Sequence, residues 1–145
     1  MQIMKNSVLS FLLLLFLQMG FAQSNLLWQG YFSYNEIKEV SESETAVFAA
    51  SENALFSKNF ATNQIKTTNT VDGLSGQTIS SLHHSSIFNK TVVGYENGLI
   101  TVINQADGSM LNVVDIINKQ LPANLKKINH FLEFEGTVYV SCDFG

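Results

Sequence analysis

A strand–turn–strand segment recurs along this 145-residue chain at nearly constant spacing, and that recurrence restricts the fold more than any other feature. The first copy reads Val47-Phe48-Ala49-Ala50-Ser51-Glu52-Asn53-Ala54-Leu55-Phe56. The second reads Val92-Val93-Gly94-Tyr95-Glu96-Asn97-Gly98-Leu99-Ile100, and a third begins Val138-Tyr139-Val140-Ser141-Cys142-Asp143-Phe144-Gly145. Gly98 follows Ala54 by 44 residues, and Gly145 follows Gly98 by 47. A period of about 40–50 residues with hairpin content is that of one four-stranded propeller blade. The expectation is an all-β fold: an incomplete β-propeller of about two and a half four-stranded blades, with the sequence stopping inside the third.

The flanking sequence fills in the blades. Short runs of β-formers at Ile37–Val40, Thr45–Ala50, Ala54–Lys58 and Gln64–Thr68 predict the first. Thr78–His83, Thr91–Tyr95, Leu99–Asn104 and Met110–Asp115 predict the second, innermost strand first. Asn97-Gly98 and Asp107-Gly108 tolerate the positive φ of tight hairpins. The crossing at 71–76 holds two glycines for a sharp reversal, with Leu74 placed to pack between blades. The crossing from Ile116 to Lys127 contains the only proline, Pro122, which limits any helix there to a short turn. Ile37-Lys38-Glu39-Val40, Ile79-Ser80-Ser81-Leu82 and Ile128-Asn129-His130-Phe131 share an Ile-x-x-apolar opening, one per blade.

The N-terminus reads as a targeting segment. Lys5 precedes an apolar run from Val8 to Leu17, and Gly20-Phe21-Ala22 offers small residues for a signal peptidase. The run is too short to span a bilayer, which needs about 20 apolar residues. Residues 1–22 are therefore expected to be a signal peptide, with the mature chain, 23–145, beginning at Gln23 and leaving the cytoplasm. The aromatic segment from Leu26 to Tyr34, with Trp28 and Tyr31, is expected to be an extended strand that closes the ring. The net charge is −4 and all eight basic residues are lysine. Without arginine, bidentate contact to phosphates or guanine edges is unsupported, so nucleic acid is not an expected partner. Cys142 is the only cysteine and reads as a small buried hydrophobe.

No catalytic, cofactor-binding or metal-binding residue emerges. His83 and His84 are adjacent, so on a strand they point to opposite faces. His130 sits at a similar inner-strand position. Glu52, Glu96 and Asp143 recur at equivalent places, but in different blades, where they do not converge as a cation site requires. Residues 72–76 lack the lysine and helix of a phosphate loop. A propeller enzyme needs paired acids or a metal cluster at the central channel, and the sequence displays neither.

Several segments resemble a known family in their wording as well as their period. Asp72-Gly73-Leu74-Ser75, Thr78-Ile79-Ser80-Ser81-Leu82 and Val93-Gly94-Tyr95-Glu96-Asn97-Gly98-Leu99 resemble the periplasmic propeller repeat of two-component regulators. Tyr31-Phe32-Ser33-Tyr34, Ala49–Ser57, Thr70–Gly76 and Ser141–Gly145 more closely resemble the N-terminal propeller of PorZ-type proteins of the Bacteroidetes type IX secretion system. The resemblance implies two propellers followed by a sorting-type domain in a complete protein. It also implies a non-enzymatic place in the attachment complex at the outer membrane and cell surface. There a sortase, an outer-membrane shuttle protein and a further barrel partner fix cargo to anionic lipopolysaccharide. The alternative that the generic repeat leaves open is the periplasmic sensor region of a histidine kinase.

Overall fold

A computed structural model describes residues 36–145. The expected signal peptide, 1–22, and the expected closing strand at 26–34 lie outside the described residues. Among the described residues ten strands form three antiparallel sheets. The first blade is β1 (Glu39–Glu42), β2 (Ala46–Ala50), β3 (Leu55–Asn59) and β4 (Ile65–Thr68), paired in sequence order. The second is β5 (Ile79–Ser85), β6 (Lys90–Tyr95), β7 (Ile100–Asn104) and β8 (Met110–Val113), paired the same way. β9 (Ile128–Phe134) and β10 (Thr137–Cys142) form a two-stranded start to a third. This is the incomplete all-β propeller that the repeat predicts.

The repeat extends to register. Ile79 lies opposite Tyr95 and Ser81 opposite Gly94, so Ser80 is an extra residue in a bulge. Ile128 lies opposite Cys142 and His130 opposite Ser141, which makes Asn129 the same bulge one blade later. Glu96 N–H donates to Thr78 O at 3.0 Å, and Asp143 N–H donates to Lys127 O at 3.2 Å. β5 and β9 are thus each tied to the hairpin of their own blade by the same bond.

Two hairpin turns are built in different ways. Asn97-Gly98 is not a two-residue hairpin, because only Gly98 has positive φ (87°). Tyr95 N–H donates to Leu99 O and Gly98 N–H to Tyr95 O, which is a three-residue loop ending in a left-handed glycine. The two-residue turn with both φ positive lies instead at Glu135-Gly136 (48° and 72°), joining β9 to β10. The fourth strand of the second blade also ends early, at Val113. Asp115 opens the single helical turn α1 (Asp115–Asn118), and Pro122 precedes a 3-10 turn at Ala123–Leu125.

Apolar burial between blades holds the array together. One core joins Phe48, Ala50 and Leu55 of the first blade to Ile79, Leu82, Val93, Tyr95 and Ile103 of the second, with Leu74 from the crossing. A second core joins Val92 and Ile100 to Ile128, Phe131 and Cys142. At about 1.5–3 kcal/mol for each large side chain buried, these cores outweigh any polar contact between blades. Ile79 and Ile128 are 1% and 0% exposed, each seated on the preceding blade. Ile37, at the same position of the first blade, is 48% exposed, and among the described residues no blade precedes it. The far face of the third blade leaves Leu132, Phe134 and Tyr139 exposed. Among the described residues no helix is long and apolar enough to cross a membrane.

Candidate functional site

The innermost strands β1, β5 and β9 each pair on one edge only, so their other edges carry unpaired backbone groups. Side chains from the neighbouring blade meet them. A carboxylate oxygen of Glu39 accepts the Leu82 N–H, and Ser41 Oγ accepts the His84 N–H at 2.8 Å. Ser80 Oγ donates to the Ile128 carbonyl at 2.7 Å.

A second set of bonds runs between side chains. Glu133 Oε2 lies 3.0 Å from His83 Nε2, and its Oε1 accepts Ser85 Oγ–H at 2.9 Å. The hydrogen bond from His83 holds the Glu133 carboxyl below the usual carboxylate range, with Ser85 adding to it and burial opposing. His130 Nδ1 lies 3.5 Å from Glu39 Oε1, which brings the first and third inner strands together. Glu, Ser and His therefore meet across β5 and β9, but the carboxylate stands between the other two. Ser85 donates to Glu133 rather than to an imidazole, so the order of a nucleophile–base–orienter chain is missing. The cluster clasps two blades.

His83 and His84 do point to opposite faces. His84 is buried, its ring stacked on Phe48 with centroids 4.2 Å apart and planes 15° from parallel. Its Nδ1 lies 3.1 Å from Thr91 Oγ1, which accepts from Gln105 Nε2 at 2.8 Å. Burial pushes the His84 pKa down and the neighbouring His83 adds to that, so the ring is neutral near pH 7. Glu52, Glu96 and Asp143 occupy equivalent hairpins; Asp143 Oδ1 accepts from Asn129 Nδ2 at 2.8 Å. Among the described residues no three His, Cys, Asp or Glu side chains converge to hold a metal. Cys142 is buried beside Phe131 and Ile128, and burial raises its thiol pKa.

The sequence reading passed over Glu39, Ser41, Ser85 and Glu133. Their partners lie 43 to 50 residues away, so no local pattern marks them. The one available signal was the repeat itself, since Glu39, Ser81 and His130 occupy the same register position in successive inner strands.

Comparison with known proteins agrees with this architecture. A solved structure of PorZ, a bacterial surface component of the type IX secretion system of Porphyromonas gingivalis, superposes with a TM-score of 0.68 at 23% identity. The match covers 78% of this chain and 15% of that one, so this chain spans a small part of its relative's length. No curated protein matches the chain. The family model describing the N-terminal β-propeller domain of PorZ of the type IX secretion system matches residues 47–145. Blade order, repeat register and that match agree: the chain belongs to the PorZ N-terminal β-propeller family.

Proposed function

We propose that this chain supplies the opening blades of a non-enzymatic propeller scaffold in the type IX secretion attachment complex, working at the outer membrane and cell surface. The family match over residues 47–145 carries this reading. Residues 1–22 direct export, and residues 23–145 make the first two blades and part of a third. The exposed Leu132, Phe134 and Tyr139 support further blades, because an uncovered apolar face of that kind is costly in water. Its partners are those remaining blades, the sortase and the outer-membrane shuttle protein. The inner-strand cluster has a structural role that suits a scaffold.

Crosslinking the full-length protein in its native cells and identifying the captured proteins tests the reading. Capture of the sortase and shuttle protein, with cargo lost from the surface when the gene is deleted, is the expected result. Continuation of the reading frame into a membrane helix and a kinase domain would transfer the chain to the sensor class and refute the scaffold assignment.

A further inference from the structure

A cleft of about 350 Å³ opens between the first two blades, lined from one side by Phe48, Ser57, Asn59 and Lys66 and from the other by His84 and Gln105. That volume is at the lower end of the range for small-molecule sites. No Asp or Glu lines it, although the chain as a whole is acidic. Glu44 lines an adjoining depression together with His84. The Lys66 side chain makes no ion pair or hydrogen bond among the described residues, and neither does His84 Nε2.

The chemistry of these groups is directional. Thr91 Oγ1 accepts from Gln105 Nε2 and lies 3.1 Å from His84 Nδ1. In the tautomer in which Thr91 donates to Nδ1, Nε2 carries the hydrogen of a neutral imidazole and is a donor without an acceptor. A cation and an N–H donor lining one small cleft match the two oxygens of a carboxylate. A phosphate dianion calls for more charge than one lysine provides.

The repeat supplies a control within the same molecule. Register places Glu133 where His84 stands, Leu111 where Lys66 stands, Val102 where Ser57 stands and Val92 where Phe48 stands, one blade on. Lys90 takes the place of Ala46 there. The next wedge thus has neither the imidazole nor a lysine at the Lys66 position, and its acid is already bonded to His83 and Ser85. The donor pair belongs to the first wedge and is not imposed by the blade fold.

We propose that the cleft between the first two blades binds a small free organic acid, with Lys66 and His84 holding its carboxylate and the Phe48 side lying against its apolar body. This does not depend on the secretion assignment. Calorimetric titration of the full-length protein with succinate, its diamide, inorganic phosphate and an acidic peptide tests it. Saturable binding of succinate but not of the diamide is expected. Lys66→Gln, at an exposed strand position, should weaken that binding about tenfold by removing a charged hydrogen bond without moving the unfolding midpoint. His84→Gln should weaken it as well, with folding checked by the same melt. Absence of succinate binding, binding indifferent to Lys66→Gln, or a preference for phosphate or peptide would each overturn the proposal.

Discussion

Replacing Gly94 by alanine probes how closely the second and third blades approach. An added Cβ would sit 2.5 Å from Ile128 Cγ2, 2.7 Å from Ile128 Cβ and 3.1 Å from Phe131 Cε2. Ile128 Cβ is fixed to the backbone of β9, so the clash is not relieved by rotating a side chain; the strand itself must retreat. Overpacking of this kind costs about 1–3 kcal/mol. Alanine recovers about 0.5–1 kcal/mol of the strand-interior penalty of glycine, leaving a net loss of about 1–2 kcal/mol. At that size β9 should open about 5–30 times more often, read by hydrogen exchange of peptides covering residues 128–134 in the full-length protein. Ile128→Ala in the same chain makes room, so the double variant should be more stable than the sum of the single changes by about 0.5–3 kcal/mol. If Gly94→Ala folds and the protection of β9 stays within about twofold of the parent, a shift smaller than the overpacking range, Ile128 is not seated on β6 and the reasoning fails.

Gly98→Ala combines positive φ with a Cβ only 2.6 Å from Ile116 Cγ2, so it should lower the unfolding midpoint well below Gly108→Ala, whose left-handed glycine has no neighbour within 4 Å; equal midpoints would contradict the close approach. Two groups should make the propeller less stable in acid. His84 is held neutral in the fold, so stability falls as pH drops below its unfolded value of about 6.5, and His84→Gln should remove that part of the slope. Glu133 has a depressed pKa, so its contribution is present above about pH 4.3 and lost as pH falls through the lower folded value; Glu133→Gln should cost less than about 1 kcal/mol at neutral pH and flatten the acid limb of a pH-dependent melt. Residues 23–145 expressed alone should be insoluble or oligomeric because Leu132, Phe134 and Tyr139 lie open, and a monomeric, cooperatively melting product by light scattering and calorimetry would count against it. Mass spectrometry of the mature protein should find Gln23 at its N-terminus, and an intact Met1 would remove the export assignment.

The blades were legible because their markers are local. Asn97-Gly98, Asp107-Gly108 and the Ile-x-x-apolar openings each announce themselves within four residues, and all three openings fall at inner strands. The turn geometry was less legible, since Asn-Gly serves either a two-residue or a three-residue loop; the length of the flanking pairing decides. Glu135-Gly136 drew no attention because glutamate rarely takes positive φ, yet Phe134 and Thr137 pair directly across it and fix the turn. The end of β8 was misplaced because Val114 extends the run of β-formers, while Val114 already stands as the N-cap of α1. The contacts of the candidate cluster and the stacking of His84 on Phe48 join different blades, and one sequence carries no record of such pairs.

The inter-blade capping also has a direction. Glu39 and Ser41 answer backbone groups of β5, and Ser80 answers one of β9, so in each case a side chain from the earlier blade serves the main chain of the later one. A chain that emerges from its N-terminus therefore presents a finished template before the strand that needs it arrives. The inner edges of β5 and β9 thus find these caps already in place on the blade before them and do not wait on the blade ahead.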